Sequence, residues 1–143
     1  CGAVGPRLAF GLANGTVGVY DPWTGKRVWR VRSKAGVTAL CGFDATGDGV
    51  DEVVAALSNG AFTIRKADSG EVLFKSPSAG RGGGGVSALL AADYKLDGKG
   101  LDLIVCNANG EVKGYRPWGD PLAAALGDGL GDGLGDGLGD GLG

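Results

Sequence analysis

An internal repeat restricts the fold of this 143-residue chain more than any other feature. Residues 37–44 align with residues 86–93 at an offset of 49, and Asn59-Gly60 aligns with Asn109-Gly110 at an offset of 50. An earlier copy, Asn14-Gly15, precedes Asn59-Gly60 by 45 residues. Periods of this length are typical of β-propeller blades, so the chain is predicted to contain consecutive copies of one such unit.

Each copy has the pattern of short strands joined by tight turns. Apolar runs flank the three Asn-Gly pairs, and no run has helical periodicity. Asn-Gly between apolar runs predicts a hairpin with a type I′ turn, in which both central residues have positive φ. The predicted strands are 8–12, 17–20, 28–32, 37–43, 53–57, 62–64, 71–75, 86–92, 101–105 and 112–115.

These strands predict an all-β fold, a partial β-propeller of about two and a half four-stranded antiparallel blades of the WD40 or FG-GAP kind. The propeller fragment covers residues 1–117, and the chain is expected to be part of a longer one because it begins with Cys1. A Gly-rich loop joins two blades, and a low-complexity LGDG linker or tail, expected to be disordered, follows the last. The blades are 1–34, 35–76 and 86–117, the loop is 76–85 and the tail is 118–143.

Composition excludes several classes of function. The chain contains no His, which excludes Ser–His and Cys–His catalysis and His metal ligands. Its 14 basic and 16 acidic residues give a net charge of −2, and leaving out the four Asp residues of 126–143 changes this to +2. So small a charge does not indicate binding to nucleic acid. No apolar run approaches the ~18 residues of a transmembrane helix.

The segment 44–53 resembles the calcium loop of integrin-type propellers, D-x-[DN]-x-D-G-x-x-[DE]. Calcium requires oxygen ligands, and Asp44, Thr46, Asp48 and Glu52 stand at the ligand positions. Thr46 replaces the usual Asp or Asn, and Lys95 occupies the matching position of the second copy. The alternative is a structural turn, in which the Asp side chains accept hydrogen bonds from nearby backbone amides. The turn is the favoured interpretation, with no bound metal.

The segment 21–29 has the pattern D-x-x-T-G-x-x-x-W, which is similar to the docking motif of quinoprotein-type propellers. In that motif a Trp packs between neighbouring blades, and Trp29 holds its position here. Phe74 stands at the matching position of the next copy, a replacement that a packing role tolerates. The pattern therefore predicts an inter-blade contact and gives no reason to expect a quinone or any other cofactor.

A basic stripe is the first candidate for partner binding. On an extended strand Arg30, Arg32 and Lys34 share one face, opposite Trp29 and Val31. The stripe is either a docking patch for an acidic partner or lipid headgroups, or a solvated outer strand whose charges discourage edge pairing.

Two tryptophans and two cysteines complete the candidate residues. Trp23 and Trp118 are candidate aromatic anchors if they are exposed. Cys41 and Cys106 lie within predicted strands on apolar faces, where a buried thiol behaves as a small hydrophobic group. No catalytic residue is predicted.

The ordered combination of motifs closely resembles the middle region of the Bardet–Biedl syndrome protein 2 family. The resemblance runs from residue 7 to residue 117 and includes the G-E-x-x-G-Y-x-P stretch that ends at Pro117. The Gly-rich insertion at 80–85 and the LGDG tail depart from the family pattern. In this family the region forms later blades of an N-terminal propeller in a subunit of the BBSome.

The resemblance implies a non-enzymatic adaptor in a coat complex that carries membrane proteins into and out of cilia with intraflagellar transport. It implies contacts with BBSome subunits seven and nine and, indirectly, with an Arf-like small GTPase, the ciliary membrane and membrane-protein cargo. The expected location is the cytoplasm and the cilium. Two alternatives are a calcium-binding adhesion propeller of the integrin kind and a quinoprotein-like propeller.

Overall fold

The computed structural model describes residues 6–78 and 83–117, which contain ten β-strands and no helix. The ten strands follow the predicted runs closely. They are β1 (Leu8–Gly11), β2 (Thr16–Tyr20), β3 (Arg27–Arg32), β4 (Val37–Phe43), β5 (Glu52–Leu57), β6 (Phe62–Arg65), β7 (Val72–Lys75), β8 (Val86–Ala92), β9 (Asp102–Asn107) and β10 (Val112–Tyr115). Residues 1–5, 79–82 and 118–143 lie outside the described part, and with them the predicted tail and part of the predicted inter-blade loop.

Consecutive strands pair antiparallel into three sheets, which we call blades 1, 2 and 3. Blade 1 has the order β1-β2-β3, blade 2 the order β4-β5-β6-β7, and blade 3 the order β10-β9-β8. The repeat aligns β1 and β9 with the second strand of blade 2, so blade 1 lacks a first strand and blade 3 a fourth among the described residues. The prediction of a partial all-β propeller is confirmed. The residue limits assigned to each blade stay a prediction.

The central strand β5 is buried along its whole length because blade 2 is covered on both faces. Side chains alternate between the faces of a strand. Val53 and Ala55 therefore join a cluster with blade 1, and Val54 and Ala56 join a cluster with blade 3. Phe43 is 1% exposed within the second cluster. Among the described blades, blade 2 alone has a neighbour on both faces, and its strand β5 carries a continuous apolar run at residues 53–57.

The prediction of type I′ turns at the Asn-Gly pairs is wrong. Gly15 has a φ of +86°, but Asn14 is not among the described residues with positive φ. The Leu12 amide donates to the Thr16 carbonyl at 2.8 Å, so the loop contains three residues rather than two. A type I turn followed by a left-handed glycine is the usual geometry for this length.

The same loop recurs in the other two blades. In blade 1 the Asn14 side chain accepts a hydrogen bond from the Thr16 amide at 3.0 Å, and Asn59 and Asn109 accept equivalent bonds at 3.1 and 3.0 Å. The asparagine is thus selected by its short acceptor side chain, whereas only the following glycine needs the left-handed region.

The two described cysteines are half-buried rather than buried as predicted. Cys41 and Cys106 are both free thiols at the middle of strands. Cys41 packs against the cluster shared by blades 2 and 3 but is only partly covered. None of the described segments is a helix with the length and apolarity that crossing a membrane requires.

Candidate functional site

Trp29 packs between blades 1 and 2, as its motif predicts. Its side chain is 9% exposed, and the indole Nε1 donates a hydrogen bond to the Ala67 carbonyl at 2.9 Å. Ala67 lies in the loop between β6 and β7 of blade 2. In the same loop, a Cβ built on Gly70 would stand 2.7 Å from the indole ring. Trp29 therefore belongs to the framework of the propeller and is not accessible to a partner.

The turn before Trp29 is organised by Asp21. Its carboxylate accepts hydrogen bonds from the amides of Trp23 at 2.9 Å and Thr24 at 3.3 Å, and it forms an ion pair with Arg7 at 3.4 Å. The Trp23 hydrogen bond is the main reason that the pKa of Asp21 lies below its ordinary value. The turn presents Trp23 to solvent with 78% of its surface exposed. Trp118, the other predicted anchor, lies outside the described residues.

Asp44 and Asp48 of the calcium-like pattern lie in the loop between β4 and β5, and Glu52 begins β5. Asp44 accepts hydrogen bonds from the amides of Gly47, Asp48 and Gly49 at 2.7, 3.2 and 2.8 Å. Asp48 accepts one from the Val50 amide at 2.9 Å. The carboxylate oxygens are thus directed at backbone donors within their own loop, which favours the structural turn. Within residues 6–78 and 83–117 no three Asp, Glu or Cys side chains are grouped as metal ligands would be.

Glu52 is the buried member of this loop. Its Oε2 accepts a hydrogen bond from the Ala45 amide at 2.8 Å, and only 5% of the residue is exposed. Burial raises the pKa of this carboxyl group, and the nearby charges of Asp48 and Asp44 act in the same direction. Glu52 therefore ties the start of β5 to the preceding loop.

The second copy of the loop, between β8 and β9, repeats this design. Asp93 accepts hydrogen bonds from the amides of Asp97 at 3.3 Å and Gly98 at 3.0 Å, as Asp44 does in blade 2. Asp102 occupies the place of Glu52, and burial raises its pKa too. This loop keeps the same geometry although Lys95 stands at a ligand position. Turn formation alone therefore explains the geometry.

The basic stripe is exposed and lies at the outer strand of blade 1. Arg30 and Arg32 are exposed on β3, whereas Trp29 is buried and Val31 half-buried. Lys34 is exposed but lies beyond β3, which ends at Arg32, so its predicted place on the strand face is wrong. Beyond Arg32 the chain bends, and the Ser33 hydroxyl donates a hydrogen bond to the Ala35 carbonyl at 2.6 Å. The structure adds Lys26 and Arg27, both exposed, to the stripe.

A cleft of about 440 Å³ lies between blades 1 and 2 and was not predicted from the sequence. Its lining includes Arg7 and Ala9 of blade 1, and Cys41, Asp51 and Val53 of blade 2. Burial, and then the charge of Asp51, raises the pKa of the Cys41 thiol to about 11. A thiol that stays protonated at neutral pH is a poor nucleophile, and the Cys41 side chain packs against the cluster shared by blades 2 and 3. No local motif predicts a cleft whose walls are 30 to 60 residues apart in sequence.

The sequence of this chain is similar to one known protein family and to several of its members. Residues 3–65 match the family described as ciliary BBSome complex subunit 2, middle region. BBSome complex member BBS2 of Homo sapiens is 38% identical over 117 residues, which are 82% of this chain and 15% of the human protein. BBSome complex member BBS2 of Danio rerio is 38% identical over 128 residues, 90% of this chain and 17% of the fish protein. The chain thus spans about a sixth of the length of these relatives.

Solved structures show the same fold at lower identity. A crystal structure of BBS1N in complex with ARL6DN superposes with a TM-score of 0.62 at 21% identity, covering 78% of this chain and 34% of that one. The computationally designed Ika8 protein superposes with a TM-score of 0.60 at 21% identity, covering 80% and 31%. At this identity the likeness concerns the arrangement of the blades and not their activities.

Proposed function

Because the chain belongs to the family of ciliary BBSome complex subunit 2, middle region, we propose that it is a scaffold segment of a BBSome and acts by docking other proteins. The observation that carries this proposal is the 38% identity to BBSome complex member BBS2 over 117 residues. The proposed role is adaptor work without catalysis, in the movement of membrane proteins into and out of cilia with intraflagellar transport.

The distribution of buried and exposed residues suits such a role. Trp29 and the two apolar clusters hold the three blades together, while the turns and outer strands face solvent. Rigid blades that present fixed loops can dock a partner at little cost in conformational entropy. Trp23 is the best-placed aromatic anchor among the described residues, since it is 78% exposed at the tip of a hydrogen-bonded turn.

The partners that we propose follow from the family and not from this chain's own geometry. They are the other BBSome subunits, with subunits seven and nine as direct neighbours. An Arf-like small GTPase, the ciliary membrane and membrane-protein cargo are proposed as indirect partners. The proposed location is the cytoplasm and the cilium.

Affinity purification of the tagged full-length protein from ciliated cells tests the proposal. We expect BBSome subunits to co-elute with it, subunits seven and nine among them. Elution without any of these subunits contradicts the proposed assembly.

A pair of variants tests Trp23 as the anchor. We expect Trp23→Ala to reduce the recovery of at least one direct neighbour. Tyr94→Ala is the matched control, because Tyr94 is also an exposed aromatic residue in a loop, 51% exposed. Equal recovery with both variants contradicts the role of Trp23 and leaves the assembly itself supported.

A further inference from the structure

Blade 1 carries an unusual concentration of positive charge along its outer strand. Five cations lie within nine residues at β3, and all five are exposed; we call them the basic edge. They are Lys26, Arg27, Arg30, Arg32 and Lys34. The ion pairs in the described part of the chain use Arg7, Lys66 and Lys113 instead, so no carboxylate there neutralises the basic edge.

The strand β3 that carries these side chains has a paired strand on one side only, among the described residues. Among the described strands, β3 pairs with β2 alone. The Ser33 amide donates to the Gly15 carbonyl at 2.9 Å, so this residue directs its backbone toward β2. Backbone directions alternate along an antiparallel strand, and the amide and carbonyl groups of Arg30 and Arg32 therefore point away from β2. An extended peptide can add to such an edge through main-chain hydrogen bonds.

The equivalent strand of blade 2 shows that the repeat does not require this charge. At the offset of 45 residues, Lys75 of β7 stands at the position of Arg30, and Pro77 stands at the position of Arg32. One lysine and one proline are ordinary means of keeping an outer strand from pairing with other chains. Blade 1 replaces the proline by an arginine, which restores a backbone donor and adds a charge. Protection against edge pairing alone does not explain this combination.

The same comparison shows that a neighbouring blade would leave the basic edge accessible. Arg30 and Arg32 project from the face of blade 1 that points away from blade 2, because Trp29 and Val31 pack toward blade 2. In blade 2 the corresponding face is covered by blade 1, yet Lys75 remains exposed. An outer-strand side chain at this position thus extends past the neighbouring blade.

We propose that the basic edge binds an extended acidic peptide segment of a partner protein, which adds to β3 as a further strand. This inference deepens the docking role proposed above and rests on it. Side chains of alternate residues share a face, so the peptide would carry its carboxylates at every second position opposite Arg30 and Arg32. Guanidinium groups bind carboxylates through paired, charge-assisted hydrogen bonds. The open backbone donors favour a peptide over lipid headgroups, which cannot continue a sheet.

Binding of a fluorescein-labelled (Glu-Thr)4 peptide to the full chain, measured by fluorescence anisotropy, tests the charge requirement. We expect Arg30→Glu/Arg32→Glu to weaken binding at least tenfold. The matched control is Lys75→Glu/Lys95→Glu, which makes the same change in net charge at two exposed lysines elsewhere, and it should stay within twofold. Circular dichroism at matched temperature checks that both variants stay folded. Equal losses in the two variants, or no binding by the parent chain, overturn the proposal.

Two further probes test the mode of binding. A backbone N-methylated (Glu-Thr)4 peptide keeps its charges but loses main-chain donors, and we expect it to bind at least tenfold more weakly. Equal binding of the methylated peptide contradicts strand addition. Phosphatidylserine vesicles test whether the basic edge binds lipid headgroups instead of a peptide. If the parent chain binds the vesicles through the basic edge but does not bind the peptide, the proposal is contradicted.

The two proposals fail separately. If Arg30→Glu/Arg32→Glu loses peptide binding but still co-elutes with the BBSome subunits, the basic edge is supported and serves an acidic partner other than those subunits. Peptide binding that persists when no BBSome subunit co-elutes contradicts the assembly role and not the basic edge.

Discussion

The indole Nε1 of Trp29 in blade 1 donates a hydrogen bond to the backbone carbonyl of Ala67 in blade 2 at 2.9 Å. The next pair of blades uses an aromatic contact at the same place. Phe74, at the position of Trp29 in the repeat, lies 6.4 Å from Tyr115 of blade 3 between ring centroids. In both described outer strands, β3 and β7, an aromatic residue at this position thus contacts the following blade.

Replacing Trp29 by alanine should lower the free energy of unfolding by about 3–5 kcal/mol, because it removes a buried ring from the contact between two blades. Trp29→Phe should cost less, since one six-membered ring still fills part of the space although the rest of the indole and its hydrogen bond to Ala67 are lost. Urea denaturation followed by circular dichroism measures both. Trp23→Ala, at an exposed position, is the control and should change the free energy by less than about 0.5 kcal/mol. Equal effects at Trp23 and Trp29 would show that Trp29 does not join the blades.

Substitution of Gly70 by alanine should destabilise the protein by about 3 kcal/mol or more, because backbone strain and overpacking add. Gly70 has a φ of +75°, and a Cβ there would stand 2.7 Å from the Trp29 ring. Gly25 provides the matched control, since it holds the same position 45 residues earlier with a φ of +66° and no heavy atom within 4 Å of an added Cβ. Gly25→Ala bears only the backbone strain, about 1–2 kcal/mol. Similar midpoints for the two variants in urea would contradict a close contact between Gly70 and Trp29.

Glu52 should make stability fall as the pH rises from acid to neutral. Burial raises the pKa of its carboxyl group above the ordinary value of 4.5, so the folded chain holds this proton more tightly than the unfolded chain. The stabilisation that this proton gives to the folded chain is fully present below the pKa of Glu52 in the unfolded chain and is lost as the pH rises through its pKa in the folded chain. Glu52→Gln keeps an oxygen that can accept from the Ala45 amide and removes the titration. Unfolding midpoints between pH 3 and pH 8 should therefore depend less on pH in this variant; an unchanged pH profile contradicts the prediction.

Calcium should leave the stability of the chain unchanged, because the oxygens of Asp44 are occupied by backbone amides. Thermal unfolding with 1 mM calcium or with chelator measures this, and the two midpoints should agree. Asp44→Ala should lower the free energy of unfolding by about 1 kcal/mol in both conditions, since it removes hydrogen bonds from exposed amides. A midpoint that rises with calcium, and does so only while Asp48 is intact, would support the adhesion-type alternative.

Cys41 should react slowly with iodoacetamide at pH 8. Its pKa of about 11 leaves only a small fraction of the thiol ionised at that pH, and thiolate is the reacting form. Mass spectrometry of tryptic peptides measures the rate, with glutathione in the same tube as the reference. Asp51→Asn should increase the rate, because the charge of Asp51 contributes to the shift. A rate equal to that of glutathione in the folded chain contradicts the burial of this thiol.

The repeat and the alternation of apolar residues predict the ten strands, and the D-x-x-T-G-x-x-x-W motif predicts the contact that Trp29 makes. Strand formation depends on the local pattern of apolar and turn residues. That pattern occurs in several copies, as Asn14-Gly15 and residues 37–44 show, so each copy supports the same prediction. The predicted turn type is wrong because the turn type depends on which two residues form the last hydrogen-bonded pair of the hairpin. Thr16 pairs directly with Leu12 and lengthens the loop by one residue, a difference that the Asn-Gly pair does not encode.

The period and the strand pattern lie within each copy, so local sequence is enough to specify blades. Which faces of the blades are covered depends on how the sheets pack against one another. Burial of Glu52, the cleft beside Cys41 and the exposure of Arg30 all depend on the sheet that packs alongside. The burial of a side chain, and its effect on a pKa, depend on the element that packs against it. That element lies tens of residues away in the chain and meets the strand only in the folded protein.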